Sequence, residues 1–132
     1  PEAYYGTSIH QFPNLFLMLG PNTGLGHNSM IYMIESQVNY IVDALHQMVR
    51  HNIKSIEVRK EVQDAFNEGI QKKLEGTIWL SGCKSWYLNE DGKNHTVWPG
   101  FTLEFRNQTK HIHLKDYIIE KERVVATEFE IA

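Results

Sequence analysis

Phe12-Pro13-Asn14-Leu15-Phe16-Leu17-Met18-Leu19-Gly20-Pro21-Asn22-Thr23-Gly24-Leu25-Gly26-His27-Asn28-Ser29 is the stretch on which the reading of this chain turns. Asn14 to Leu19 is a continuous apolar run between Pro13 and Gly20, the pattern of a buried strand. The run enters an uncharged, glycine-rich loop, and the loop opens directly onto a long amphipathic segment. Such a loop offers backbone N–H groups and the positive end of a helix dipole to whatever lies in front of it. The usual occupant is a phosphate, a carboxylate or an electron-rich ring edge. Two readings stand at this point: a strand–loop–helix that contacts a cofactor, or an ordinary turn whose glycines only relieve backbone strain.

Downstream, Ile31, Ile34, Val38, Ile41, Leu45 and Met48 recur at steps of three and four. That stripe predicts a helix packing this face on a core. Asn28 or Ser29 can cap its start, Arg50 and His51 suit its negative end, and Asn52 can take the left-handed stop. Its first turn carries no acidic residue, which leaves the dipole to an external partner. Ser55 to Arg59 reads as a short strand, and Val62, Phe66, Ile70 and Leu74 mark a second helix ended by Gly76. An aromatic-rich stretch follows, with Trp79, Trp86, Tyr87, Trp98, Phe101 and Phe105, and with a turn at 89–94. Phe101, Leu103 and Phe105 alternate like a strand, while Pro99 can equally open a helix. Val125, Thr127, Phe129 and Ile131 alternate as a final strand. The expected class is α/β: strand, long helix, strand, helix, an irregular aromatic segment and a β tail.

At 132 residues the chain is long enough for one domain with a modest core. A net charge of −3 with scattered Lys and Arg argues against nucleic acid as the main partner. The single Cys83 cannot form an internal disulfide and suits a reducing cytoplasm. No apolar run approaches the roughly 20 residues of a membrane-spanning helix. Pro1 is not an initiator methionine, and Pro1-Glu2-Ala3-Tyr4-Tyr5-Gly6 reads as mid-domain chain. The expectation is a piece of a longer protein or a processed product.

Gly24-Leu25-Gly26-His27-Asn28-Ser29 mimics a dinucleotide fingerprint, with Ser29 in place of the third small residue. Its glycines follow Gly20-Pro21-Asn22-Thr23 instead of making the tight turn off the strand, and no acidic residue is placed to hold a ribose. His27 stands where a phosphate-binding loop would need lysine. His111 and His113 would share one face of a strand, but no nearby carboxylate or thiol completes a ligand set, so no metal is expected. Cys83 reads as a small buried thiol rather than a nucleophile. Gly82-Cys83-Lys84-Ser85-Trp86-Tyr87 is different in kind, since small and polar residues surround a Trp. That composition suits a loop offering one flat ring to a ligand, with the core as the other place for the ring.

Taken together, several segments resemble the C-terminal part of class B flavoprotein monooxygenases, the Baeyer–Villiger type above all. They are Ala3-Tyr4-Tyr5-Gly6-Thr7, Phe12 to Phe16, Leu19 to Gly24, Gly26-His27-Asn28-Ser29, Ile34-Glu35 with Gln37-Val38, Ser85-Trp86-Tyr87 and Trp98-Pro99-Gly100-Phe101-Thr102. The resemblance runs from Pro1 to about Tyr117. It implies the C-terminal fragment of a flavoprotein with two dinucleotide-binding domains. Residues 1–52 would be the last strand, loop and helix of the FAD-binding domain, and 53–132 an extension with an NADPH-side loop. It also implies FAD and NADPH as cofactors, O2 as oxidant, and a ketone or a soft heteroatom as the group oxidised. By that resemblance Gly20, Pro21, Asn22, Asn28, Ser29 and Met30 face the flavin, Leu25, Gly26 and His27 line the substrate side, and Trp86 packs on the nicotinamide cofactor. Beyond Trp86 only Gly92-Lys93 of the family's loop pattern is kept. The glycine-rich fingerprints and the catalytic arginine of the family would lie upstream of Pro1, so no catalytic residue is expected here. The partners implied are the upstream domains of the same polypeptide. The competing expectation is a non-catalytic binding module that self-associates through its aromatic segment.

Overall fold

The computed structural model describes residues 1–24, 29–75 and 90–122. The elements are α1 (Met30–Arg50), β1 (Ile53–Val58), α2 (Lys60–Glu75), α3 (Thr102–Gln108), a single 3-10 turn (Leu114–Asp116) and β2 (Tyr117–Lys121), an α/β arrangement. β1 and β2 pair antiparallel, Val58 opposite Tyr117 and Ile56 opposite Ile119, with an irregularity between Ile53 and Ser55. The α1–β1 junction turns at Asn52, whose φ of 52° is the left-handed stop expected there. α2 follows the predicted stripe in part, since Ile70 and Leu74 are buried while Val62 and Phe66 are half-buried. The open choice around Pro99 resolves as helix. Phe101 is the N-cap residue of α3, and Phe105 is fully buried.

Two apolar clusters form the core. In the first, Tyr40 and Ala44 of α1 meet Ile53, Ile56 and Val58 of β1, together with Tyr4, Ile112 and Tyr117. In the second, Met33 of α1 meets Ile70 and Leu74 of α2, with Trp98 and Phe105. Tyr5 and Phe66 pack against both. Tyr5 reaches that place through a tight turn, with φ of 51° at Tyr5 and 62° at Gly6, closed by Thr7 N–H on the Tyr4 carbonyl at 3.0 Å.

Two expectations are corrected. Asn14 to Leu19 forms no strand: Asn14 and Leu19 have positive φ, and Met18 is 53% exposed. A strand needs a neighbouring ladder. This segment has scattered bonds and no ladder, among them Asn14 N–H to Ile56 O, Leu15 N–H to Phe12 O, Leu17 N–H to Thr7 O and Leu19 N–H to Gln37 Oε1. The stripe on α1 is also displaced in part: Ile34, Ile41 and Met48 are half-buried, while Ile31, Val38 and Leu45 are exposed. Met33, Gln37, Tyr40 and Ala44 face the core, while Ile31, Val38, Val42, Leu45 and Val49 are exposed, Val49 at 81%. The helix is apolar on two faces, and spacing alone does not say which one is covered. The expected final strand, 125–131, lies outside the described residues, as does the Gly76 helix stop. Among the described residues no helix is long and apolar enough to cross a membrane.

Candidate functional site

The glycine-rich loop is held by backbone contacts that leave no room for side chains. Gln37, wholly buried on α1, accepts Leu19 N–H at 2.8 Å and donates to Thr7 Oγ1 at 2.9 Å and to the Tyr5 and Gly6 carbonyls at 3.2 Å. A Cβ on Gly20 would overlap the Gly6 carbonyl, which is why glycine is needed at that position. Thr23 Oγ1 donates to the Gly20 carbonyl at 2.7 Å and closes the turn. Past it, Gly24 pairs in parallel with the 95–98 segment: its N–H donates to Thr96 O at 2.7 Å, and its carbonyl accepts Trp98 N–H at 2.9 Å.

These contacts frame an open recess of about 480 Å³ lined by Leu19, Gly20, Pro21, Thr23, Gly24 and Met30, together with Pro1, His95 and Thr96. Met30 is the first residue of α1. Ser29 caps the helix, its Oγ accepting Ile31 N–H at 3.3 Å, and no acidic residue occupies the first turn. The recess lining carries no acidic side chain and is partly apolar, and it lies beside the positive end of a 21-residue helix. Burial is the main cause that holds the His95 imidazole below the ordinary histidine value, so it is neutral here at pH 7.

Of the expected site residues, the structure brings Gly20, Pro21 and Met30 together at this recess. Ser29 stands next to it as the helix cap. Asn22 turns the other way: it is buried, and its Nδ2 donates to the Asn94 carbonyl at 2.8 Å and to the Val97 carbonyl at 3.0 Å. Its Nδ2 is therefore bonded into the scaffold. The loop's backbone is also less bare than its sequence implies, since the N–H groups of Leu19, Asn22 and Gly24 are bonded within the chain. Leu25, Gly26, His27, Asn28 and Trp86 lie outside the described residues, as does Cys83. His95 and Thr96 were missed. They come from about 70 residues away through the pairing with Gly24, and the only local signal was the turn before them.

The 111–113 segment is not a strand. Asp43 accepts the Ile112 N–H at 2.8 Å, and His111 Nδ1 lies 3.8 Å from its other oxygen. Among the described residues no group of three or more His, Cys, Asp or Glu could hold a metal ion.

No protein-family model matches the chain. A Baeyer–Villiger monooxygenase of Pseudomonas aeruginosa is 54% identical over 119 residues, 89% of this chain and 23% of that protein. An FAD-binding monooxygenase of Aspergillus niger is 34% identical over 125 residues, 91% of this chain and 21% of that protein. Among solved structures, cyclohexanone monooxygenase from Rhodococcus sp. Phi1 bound to NADP+ superposes with a TM-score of 0.77 at 26% identity. That match covers 92% of this chain and 24% of the enzyme. The chain thus spans about a quarter of the length of the proteins it matches.

Proposed function

From a chain similar along nine-tenths of its length to a part of the Baeyer–Villiger type of class B flavoprotein monooxygenase, we propose that it supplies part of the flavin wall and substrate pocket of an FAD- and NADPH-dependent monooxygenase. When bound, FAD reduced by NADPH supplies the activation of O2 that places one oxygen atom in a ketone or on a heteroatom. The observation that carries this reading is the recess in which Gly20, Pro21 and Met30 meet beside an α1 start without acidic residues. A flat, mostly apolar ring fits its Leu19, Pro21 and Met30 lining. Its pyrimidine edge, which gains negative charge on reduction, would lie against the Asn28–Met30 backbone at the helix N-terminus. Leu25, Gly26 and His27 would continue that wall on the substrate side. The neutral His95 imidazole adds no second positive charge next to the ring. The catalytic groups themselves belong to the rest of the polypeptide. In that polypeptide residues 1–52 end the FAD-binding domain and 53–132 form the extension. The division is one of role, because both core clusters straddle it. Cys83 as the sole cysteine supports a cytoplasmic location.

The full-length protein should purify yellow and consume NADPH faster when a cyclic ketone or a thioether is added. A colourless protein that leaves NADPH untouched across both substrate classes overturns the reading. Trp86 is assigned to the nicotinamide cofactor, so Trp86→Ala in that protein should raise the Michaelis constant for NADPH or the release of peroxide, with little change in melting temperature. Loss of a buried Trp costs roughly 3–5 kcal/mol, which a melt would register at once. Early unfolding with normal turnover by the folded fraction would make Trp86 a core residue instead.

A second reading, self-association of the isolated segment, is favoured by the exposed Ile31, Val38, Val42, Leu45 and Val49 face of α1. The isolated segment should be colourless and silent toward NADPH, and a yellow, NADPH-consuming segment would contradict that.

A further inference from the structure

Asn94 plays no part in the functional reading, yet few polar side chains here are more firmly built in. It is completely buried, and its Oδ1 accepts the N–H groups of Thr96 at 2.9 Å and Val97 at 3.0 Å. Its own carbonyl accepts Asn22 Nδ2 and Gln71 Nε2, each at 2.8 Å, and its N–H donates to Gln71 Oε1 at 3.2 Å. Gln71 belongs to α2, so the turn is bolted to a helix on one side and to the glycine-rich loop on the other. From that anchor the ladder continues: Asn22 N–H to His95 O at 2.9 Å, Gly24 N–H to Thr96 O at 2.7 Å, and Trp98 N–H to Gly24 O at 2.9 Å. There is no slack in it, since a Cβ on Gly24 would stand 2.8 Å from the Thr96 carbonyl oxygen.

Both amides are oriented by backbone partners. Two carbonyls fix Asn22 Nδ2 and two N–H groups fix Asn94 Oδ1. One atom of each, Asn22 Oδ1 and Asn94 Nδ2, is then buried without a partner among the described residues. Fold stability alone would not favour two orphaned polar atoms in one contact. Such local violations concentrate where geometry serves a site.

We propose that Asn94 is a positioning residue for the cofactor recess. It touches no ligand, being fully buried. It acts through His95, Thr96 and Gly24, three neighbouring residues of the recess lining that its ladder holds together. By fixing the 94–98 turn against Gly24 it sets the shape of that part of the lining. The proposal rests on the reading of the recess as a flavin wall.

The test compares Asn94→Ala, Asn94→Asp and Gly24→Ala in the full-length holoprotein. Three quantities are read: hydrogen exchange of peptides covering Gly24 and Thr96–Trp98, the dissociation constant of FAD, and kcat at saturating FAD. Asp keeps the acceptor that the two N–H groups need, and Ala does not. Asn94→Ala should speed exchange and weaken FAD by about tenfold, the scale of one lost net hydrogen bond, with kcat little changed. Asn94→Asp should restore both. Should Asn94→Ala fail to fold, Gly24→Ala disturbs the same ladder from its other strand and should give the same pairing of effects. Faster exchange in either variant with FAD affinity unchanged makes the contact merely structural and overturns the proposal. A wild-type protein that binds no FAD overturns the functional reading itself, and this proposal with it.

Discussion

Gln37 shows how one side chain can organise a loop. Its carboxamide serves four partners on two separate stretches of chain, Tyr5 to Thr7 and Leu19. Gln37→Leu keeps the bulk but strands the partly buried Leu19 N–H and the buried Gly6 carbonyl. At about 1–3 kcal/mol for an unsatisfied buried group, we expect a loss of at least 2 kcal/mol by urea titration. A loss under about 0.5 kcal/mol, the usual range for surface substitutions, would show that water replaces the amide. Tyr117 gives a second residue-scale expectation. Burial pushes its phenol up to about 12, against Ser8 and Tyr40 hydrogen bonds that pull it down. The folded state therefore keeps a proton that the unfolded chain gives up near pH 10. Stability contributed by Tyr117 is intact below pH 10 and lost as pH rises toward 12. A melting temperature that falls through this window in wild type, and less steeply in Tyr117→Phe, is the expected result. Equal slopes would count against it.

Among the elements, α1 is the one whose existence was plain in the sequence and whose orientation was not. Steps of three and four fit Ile31-Val38-Leu45 as well as Met33-Gln37-Tyr40-Ala44, but the second set includes a polar residue and an alanine, so hydropathy ranks it lower. Burial chose it because Gln37 has partners to satisfy. The recess was legible in part for a similar reason. Gly20, Pro21 and Met30 announce a loop at a helix start, whereas His95, Thr96 and Asn94 join it through a tertiary ladder that leaves no periodic trace. The strand expected at Asn14–Leu19 failed because apolar composition cannot supply a pairing edge. Placing charge on the exposed face with Val42→Glu and Leu45→Lys should abolish association of the isolated segment in sedimentation velocity, while its thermal midpoint moves by less than about 2 °C, as surface changes do. A large drop in the midpoint would mean that the face is folded against the segment's own core.

At the scale of the whole molecule, Tyr4 hydrogen bonds Asp116 at 2.9 Å and Ser8 hydrogen bonds Tyr117 at 2.9 Å, so the first turn of the chain closes on its last described strand. Those two contacts span 112 and 109 residues. Read as a timetable of synthesis, the first pair cannot form until its second member leaves the ribosome. At about 5–20 residues per second that delay is on the order of 6–22 seconds. Until then the Tyr4 hydroxyl and Ser8 lack the partners that close the fold, with Tyr40 and Phe66 the first rings to meet Tyr4 and Tyr5. Closure over so long a separation is slow and exposes the growing chain to aggregation. A chaperone that binds short apolar stretches would find its client around Tyr4 and Tyr5 in that interval, before Asp116 and Tyr117 close over them.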